Sequence, residues 1–249
     1  MPIPPWQTGT VKKIIEETHN TRRFFIQFDD IECFHFRAGQ FITLDLPIGD
    51  TPSKRWRSYS IASAPTGTNV IELLIVLLEG GAGSTYIFNE IKEGSQFIIR
   101  GPLGLFTLPE MIDKDLYLIC TGTGVAPFRS MLFEMLNHHK PHQEIFLIYG
   151  CRTKKDLLYY EELKSLETKL TGFSYMPTLS REKWEGRTGY VHSIYQEIIE
   201  SKKSQCSSGQ PPSPATFYLC GWKFMIIDAR QKILELGFDK KDIRLELYG

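Results

Sequence analysis

The chain has 249 residues, 42% of them hydrophobic, with 29 basic and 29 acidic side chains. That length supports a sizeable core in one large or two ordinary domains. The charge balance excludes an overall field of the kind that draws a protein onto nucleic acid or an anionic membrane. The opening residues Met1-Pro2-Ile3-Pro4-Pro5-Trp6 lack a charged start followed by an apolar run. No stretch of about 18 apolar residues occurs either, so no membrane insertion and a cytoplasmic location are expected. Five cysteines, Cys33, Cys120, Cys151, Cys206 and Cys220, lie scattered without the close pairs of a zinc or iron-sulfur site. Free thiols and no metal are expected.

From Thr8 to about Leu108 short apolar runs alternate with turn residues: Phe24 to Phe28, Gln40 to Leu44, Phe97 to Arg100. Strands at such spacing predict an antiparallel β-barrel. One helix interrupts it, Ser84 to Ile91, with Ser84 read as the N-cap. After Pro109 the rhythm becomes strand, glycine turn, helix: Leu116 to Cys120, then Phe128 to Asn137. The unit recurs as Ile145 to Tyr149 before Asp156 to Leu166, and as Phe217 to Cys220 before Phe224 to Leu236. Alternating strands and helices predict a parallel sheet covered on both faces. Ser201 to Ala215, rich in Ser, Lys, Pro, Gly and Gln, reads as an exposed mobile loop. Two domains are therefore expected, residues 1–110 an antiparallel barrel and residues 111–249 an α/β parallel-sheet domain.

Ligands of a parallel sheet bind beyond the carboxyl ends of its strands, where helix N-termini present unpaired N–H groups to anions. Gly122-Thr123-Gly124-Val125-Ala126-Pro127 falls at that place. Its glycines admit a pyrophosphate close to the backbone, and Pro127 suits a first helical turn. An ordinary tight strand-to-helix turn reads the same way. In the first half, Arg57-Ser58-Tyr59-Ser60 sets a forked cation and an aromatic ring on one face of a strand. A guanidinium grips phosphate through paired bonds, and the ring covers a flat heterocycle. A surface strand with routine polar residues is the plainer alternative.

Taken in order from about Phe36 to the C-terminus, these segments resemble the ferredoxin-NADP reductase family. The resemblance implies an FAD-binding barrel followed by a nicotinamide-dinucleotide domain. It assigns Arg57 to the FAD phosphate, Tyr59 to the isoalloxazine, and Ser60 to the neighbourhood of flavin N5. Gly81-Ala82-Gly83-Ser84 matches the second flavin segment, so Gly83, Ser84, Thr85 and the helix amides there are implied to hold the pyrophosphate. Gly101-Pro102-Leu103-Gly104 resembles a loop near the nucleotide cleft. Gly122, Thr123, Gly124 and Pro127 match the opening of the nicotinamide domain, and Cys220-Gly221 its Cys-Gly pair beside the nicotinamide. Trp222 departs from the proline or leucine found next in relatives. The ending Leu245-Glu246-Leu247-Tyr248-Gly249 resembles one in which an aromatic covers the flavin, so Tyr248 is implied to stack there and Glu246 to shape the polar site.

Arg152, Arg181 beside Ser180, and Arg187 form a set of forks from separate segments that suits a 2′-phosphate and favours NADP over NAD. His138, His139 and His142 read as a solvated run at a helix C-terminus. The implied activity is hydride transfer between nicotinamide C4 and flavin N5, then single-electron exchange with a separate ferredoxin or flavodoxin. Ser60, Cys220, Glu246 and Tyr248 are expected around the reacting rings. Two alternatives stay open: an NADH-dependent reductase serving an oxygenase, and a flavin-binding redox-sensing subunit. Lys12, Lys13, Arg22, Arg23, Lys54 and Arg55 offer a surface for an acidic partner, and a monomer is expected.

Overall fold

Six strands of the first half follow the apolar alternation closely: β1 (Trp6–Thr18), β2 (Thr21–Gln27), β3 (Phe41–Asp45), β4 (Trp56–Ser60), β5 (Val70–Val76) and β6 (Gln96–Leu103). The computed structural model describes residues 3–205 and 214–248. A short helix α1 (Pro52–Arg55) precedes β4, and α2 (Ala82–Glu90) separates β5 from β6. In β2, Phe24 and Ile26 are buried on one face while Arg23, Phe25 and Gln27 on the other are only half-buried. This is the period of two expected of a sheet with one wet face. The strands pair in the order β4-β3-β6-β1-β2-β5, each pair antiparallel. Val11, Phe24, Ile26, Ile42, Leu44 and Ile99 fill the interior.

The two edges of that sheet approach one another just past β4. Ile61 makes an isolated bridge to Leu73 of β5, and the Ala62 N–H donates to the Glu72 carbonyl at 2.8 Å. The expected barrel is thus a curled six-stranded antiparallel sheet drawn together at a bridge, without a continuous closing ladder among the described residues.

The second half gives β7 (Asp115–Thr121), β8 (Ile145–Cys151), β9 (Phe173–Leu179), β10 (Arg187–Thr188), β11 (Ala215–Trp222) and β12 (Ile243–Tyr248). They form one parallel sheet in the order β10-β9-β8-β7-β11-β12. Residues 115–120 of β7 are all buried, as an inner parallel strand requires. The helices are α3 (Val125–His138), α4 (Tyr160–Leu166), α5 (Val191–Gln205) and α6 (Lys223–Glu235). Side chains of α5 and α6, among them Ile194, Tyr195, Ile226 and Ile233, pack with Tyr117, Ile119, Phe146 and Phe217 of the sheet.

The chain divides into two compact units, Met1–Leu108 with Ala126–His138, and Pro109–Val125 with His139–Gly249. Helix α3 clusters with the first unit because a buried ion network holds it there. Glu72 accepts from Arg23 at 2.6 Å and lies 3.1 Å from Arg129. Arg129 also donates to the Ala62 carbonyl at 2.7 Å, and Ser130 to the Ser63 carbonyl at 2.6 Å.

Three local expectations are corrected. Helix α2 begins at Ala82 with Gly81 as its N-cap, so Ser84 lies inside the first turn and does not cap it. The helix expected over Asp156 to Leu166 is broken: a 3-10 turn, Lys154–Asp156, is closed by a capping box from Thr153. Tyr159 then takes a left-handed backbone at φ 53° before α4 starts. Of the expected loop Ser201 to Ala215, the first five residues continue α5 and Ala215 starts β11; residues 206–213, with Cys206, lie outside the described residues. No described helix is long and apolar enough to cross a membrane.

Candidate functional site

In the first unit the strand β4 presents Arg57 and Tyr59 on one face. Arg57 is opposite Leu44 and Tyr59 opposite Ile42 in the β3 register, and directly opposed residues share a face. Arg57 reaches across to α2: a Cβ on Gly83 would lie 2.9 Å from both its Cγ and its Nε. The guanidinium therefore rests on the first turn of a nine-residue helix whose N-cap, Gly81, offers no side-chain bond. A cation beside uncapped helix amides is a donor set for a diphosphate. Only glycine leaves room for that approach. Ser84 is buried and its hydroxyl folds back, accepting from the Leu78 N–H at 3.0 Å and lying 3.2 Å from the Gly81 carbonyl oxygen. Its part in the site falls to its backbone, while Thr85 next to it is exposed. Tyr59 packs against the barrel core, and burial raises its hydroxyl from 10.0 to about 12, partly opposed by Arg57. Ser60 closes the strand, 4% exposed.

In the second unit β7, β11 and β12 assemble the other constellation at their carboxyl ends. Cys220 pairs with Cys120 on one side and Glu246 on the other, and Tyr248 follows two positions later on the same face as Glu246. The Cys220 thiol is fully buried. Burial pushes its pKa well up and the nearby Glu246 carboxylate adds to the rise, while a hydrogen bond with Tyr248 opposes both. A neutral thiol beside a carboxylate and a phenol is the result at neutral pH.

The glycines beside them act through closeness. Gly122-Thr123-Gly124 forms a 3-10 turn that runs into α3, with Gly122 at φ 53°. Pro127 falls in the first turn of α3, where no backbone donor is needed. A Cβ on Gly124 would meet the Cys220 carbonyl oxygen at 2.5 Å. Gly221, at φ 125°, would drive a Cβ to 2.6 Å from Thr121 Oγ1 and 2.7 Å from the Thr121 carbonyl. Thr121 also accepts the Trp222 N–H at 3.1 Å. Thr121 thus ties the ends of β7 and β11 together, a role its neighbours in the sequence do not announce. Trp222 itself is exposed and lies 5.9 Å from the Phe224 ring.

The expected arginine set separates into two parts. Arg152 and Arg181 stand on adjacent loops joined by backbone, with the Arg181 N–H donating to the Arg152 carbonyl at 2.9 Å. Ser180 beside them donates its hydroxyl to the Cys151 carbonyl at 3.2 Å. Arg187 instead turns to α5 and pairs with Glu197 at 2.7 Å. The basic surface expected in the first unit is also partly consumed. Arg22 pairs with Glu16, Arg23 with Glu72, and Arg55 with Asp45, leaving Lys12, Lys13 and Lys54 exposed. His138 ends α3 and His139 follows it in a left-handed conformation, as a helix C-terminus does. Among the described residues no group of His, Cys, Asp or Glu could hold a metal, and Cys33, Cys120, Cys151 and Cys220 are free thiols.

Residues 8–108 match the oxidoreductase FAD-binding domain, and residues 118–231 the oxidoreductase NAD-binding domain. Over 222 residues the chain is 35% identical to ferredoxin–NADP reductase B of Sorangium cellulosum, covering 88% of each protein. The chain belongs to the ferredoxin-NADP reductase family. It is 33% identical over 187 residues to the anthranilate 1,2-dioxygenase electron transfer component of Acinetobacter baylyi, covering 73% of this chain but 52% of that protein. Among solved structures, the Amycolatopsis cytochrome P450 reductase aligns with a TM-score of 0.83 at 26% identity, over 98% of this chain and 70% of that one. As a member of the ferredoxin-NADP reductase family the chain is a flavoprotein oxidoreductase with an FAD-binding and a nicotinamide-dinucleotide-binding domain. The contact of Arg57 with Gly83 is compatible with that cofactor, since it sets a cation beside a helix N-terminus that no side chain caps.

Proposed function

We propose that the chain carries electrons between NADP(H) and a separate one-electron carrier of the ferredoxin or flavodoxin kind. The observation that carries the choice of dinucleotide is the backbone bond that sets Arg152 and Arg181 on adjacent loops, with Ser180 between them and the strand end. Two forked cations at the carboxyl end of a parallel sheet suit a dianionic 2′-phosphate, and the Ser180 hydroxyl, spent on the Cys151 carbonyl, pins their loop to the strand end. The Sorangium relative, named for NADP, supports the same reading.

In this reading residues 1–110 hold FAD and residues 111–249 take the dinucleotide. Arg57 and the free α2 amides of Gly83 and Ser84 hold the flavin diphosphate, while Thr85, whose N–H is taken by the Gly81 carbonyl at 2.9 Å, offers its exposed side chain; Tyr59 packs on the ring system, and Ser60 bonds near its N5. Gly122, Thr123, Gly124 and Pro127 admit the dinucleotide backbone, and Gly221 lets it approach β11. FAD, when bound, would supply the conversion between two-electron hydride chemistry and one-electron transfer. The chain's own contribution is placement and polarity. Cys220, held neutral by burial, would border the nicotinamide, Glu246 would fix the polarity beside it, and Tyr248 would supply an aromatic cover for the flavin.

One observation favours the second reading, an NADH-dependent reductase serving an oxygenase: Arg187 is engaged by Glu197, which withdraws a cation from the proposed phosphate site. Anaerobic stopped-flow reduction of the yellow protein with NADPH and with NADH separates the two. Faster and tighter reduction by NADPH is expected; faster and tighter reduction by NADH overturns the NADP assignment. Adding oxidised ferredoxin or flavodoxin to the reduced protein then tests the carrier. Full flavin occupancy without turnover of any acceptor would mark the redox-sensing alternative instead.

A further inference from the structure

Strand β12 forms the outer edge of the parallel sheet, and its exposed flank is apolar where a lone edge is ordinarily charged or shielded. Leu245 is 42% and Leu247 51% exposed, and with Ile227 of α6, 50% exposed, they line a groove together with Ile226 and Leu234, with Arg230, Gln231 and Glu235 of α6 as its polar members. The opposite face of the same strand carries Arg244 and Glu246.

We propose that this edge receives a second copy of the chain, β12 pairing antiparallel with its two-fold mate about Leu245. In that register Arg244 stands opposite Glu246 of the second copy, and the symmetry repeats the ion pair. Leu245 meets its own equivalent, and Ile243 meets Leu247. Charge selects this register. Centring the axis on Arg244 sets two guanidiniums face to face, centring it on Glu246 sets two carboxylates face to face, and a slip by one residue places charges against leucines. The backbone is equally self-complementary, because an antiparallel pair centred on a residue aligns outward N–H and C=O groups whichever parity faces out. A closed two-fold contact requires such an isologous patch. It also sets Arg244 of the second copy beside Glu246, at the rim of the Cys220 constellation. The monomer expected from the sequence is the competing state, and a strand from an unrelated protein is the competing occupant.

The test is sedimentation of the flavin-loaded full chain from low to high micromolar concentration. The mass is expected to rise from 28.7 kDa toward twice that value. Arg244→Glu and Leu245→Lys are expected to weaken the association by roughly tenfold or more. Ile98→Lys, at a position 44% exposed on β6 of the first unit, should leave it unchanged. Hydrogen exchange of the β12 amides in the unaltered protein should slow with concentration, a readout that needs no variant to fold. A chain that stays at 28.7 kDa throughout overturns the proposal. So does a dimer that Arg244→Glu and Leu245→Lys leave intact, or one that Ile98→Lys weakens as much.

Discussion

The two candidate constellations, one in each unit, are built by opposite means. In the first unit a charged side chain, Arg57, is laid on a helix N-terminus. In the second, the glycines Gly124 and Gly221 let backbone touch backbone around a buried neutral thiol. The first arrangement concentrates charge, and the Cβ missing from Gly83 makes room for a flexible side chain that has freedom to shift. The second depends on missing atoms, so a single added methyl group is felt by the fold itself.

That contrast ranks the outcomes of mutation. The largest effect is expected from Gly221→Ala, which combines a left-handed backbone with contacts below 3.0 Å to Thr121. Together these should cost about 4 kcal/mol of folding stability, read by chemical denaturation, and a loss under 1 kcal/mol would sink the closeness argument. Next comes an alkaline effect in the first unit. Because burial raises Tyr59 from 10.0 to about 12, the folded chain keeps a proton that the unfolded chain has released. The resulting stabilisation is complete below pH 10 and disappears as pH climbs through 12. Relative to Tyr59→Phe, the wild type should lose up to about 2.7 kcal/mol across that interval; parallel stability curves for the two proteins would contradict it.

Arg57→Ala should act on the cofactor and spare the scaffold. Removal of one charge-assisted grip corresponds to about 2 kcal/mol, or roughly thirtyfold in FAD affinity, with little change in the melting of the flavin-free chain. Equal flavin retention by variant and wild type in a dilution series would count against the diphosphate role. The smallest effect belongs to Arg187→Ala. Its pair with Glu197 is solvent-exposed, so the change in stability should stay below about 0.5 kcal/mol. A larger loss would mean that the pair helps to hold β10, and a selective rise in KM for NADPH would show that Arg187 can leave Glu197 for the phosphate.

Much of the architecture could be read from local pattern. The runs 116–120, 145–149 and 217–220 have the continuous apolar character of buried parallel strands, and all three are strands. Arg57 and Tyr59 share a face because strand alternation leaves no other choice. Features that depend on which partner a side chain takes were not legible. Ser84 satisfies the usual preference at an N-cap, yet the loop residues Leu78 and Gly81 engage its hydroxyl and the helix starts earlier. Arg187 looks like a phosphate ligand until Glu197 is placed beside it. Helix α5 was not expected at all, although Val191, Ile194, Tyr195 and Ile199 have helical spacing, and its last five residues, rich in Ser and Lys, were read as loop. Thr121 gave no signal, since its importance lies in what Gly221 brings against it.

The seat of α3 bears on how the chain may be cut. Arg129 and the Ala62 carbonyl it bonds lie 67 residues apart in sequence, and the helix leaves the Gly122–Gly124 turn only to settle on the curled sheet of the first unit. A division after Leu108 would therefore hand the trailing fragment a helix whose partners stayed behind, with Phe128 and Met131 bared and Arg129 deprived of Glu72. Chimeras that exchange nucleotide modules between reductases of this kind should place their seams at Val125/Ala126 and at His138/His139, carrying α3 along with the flavin scaffold.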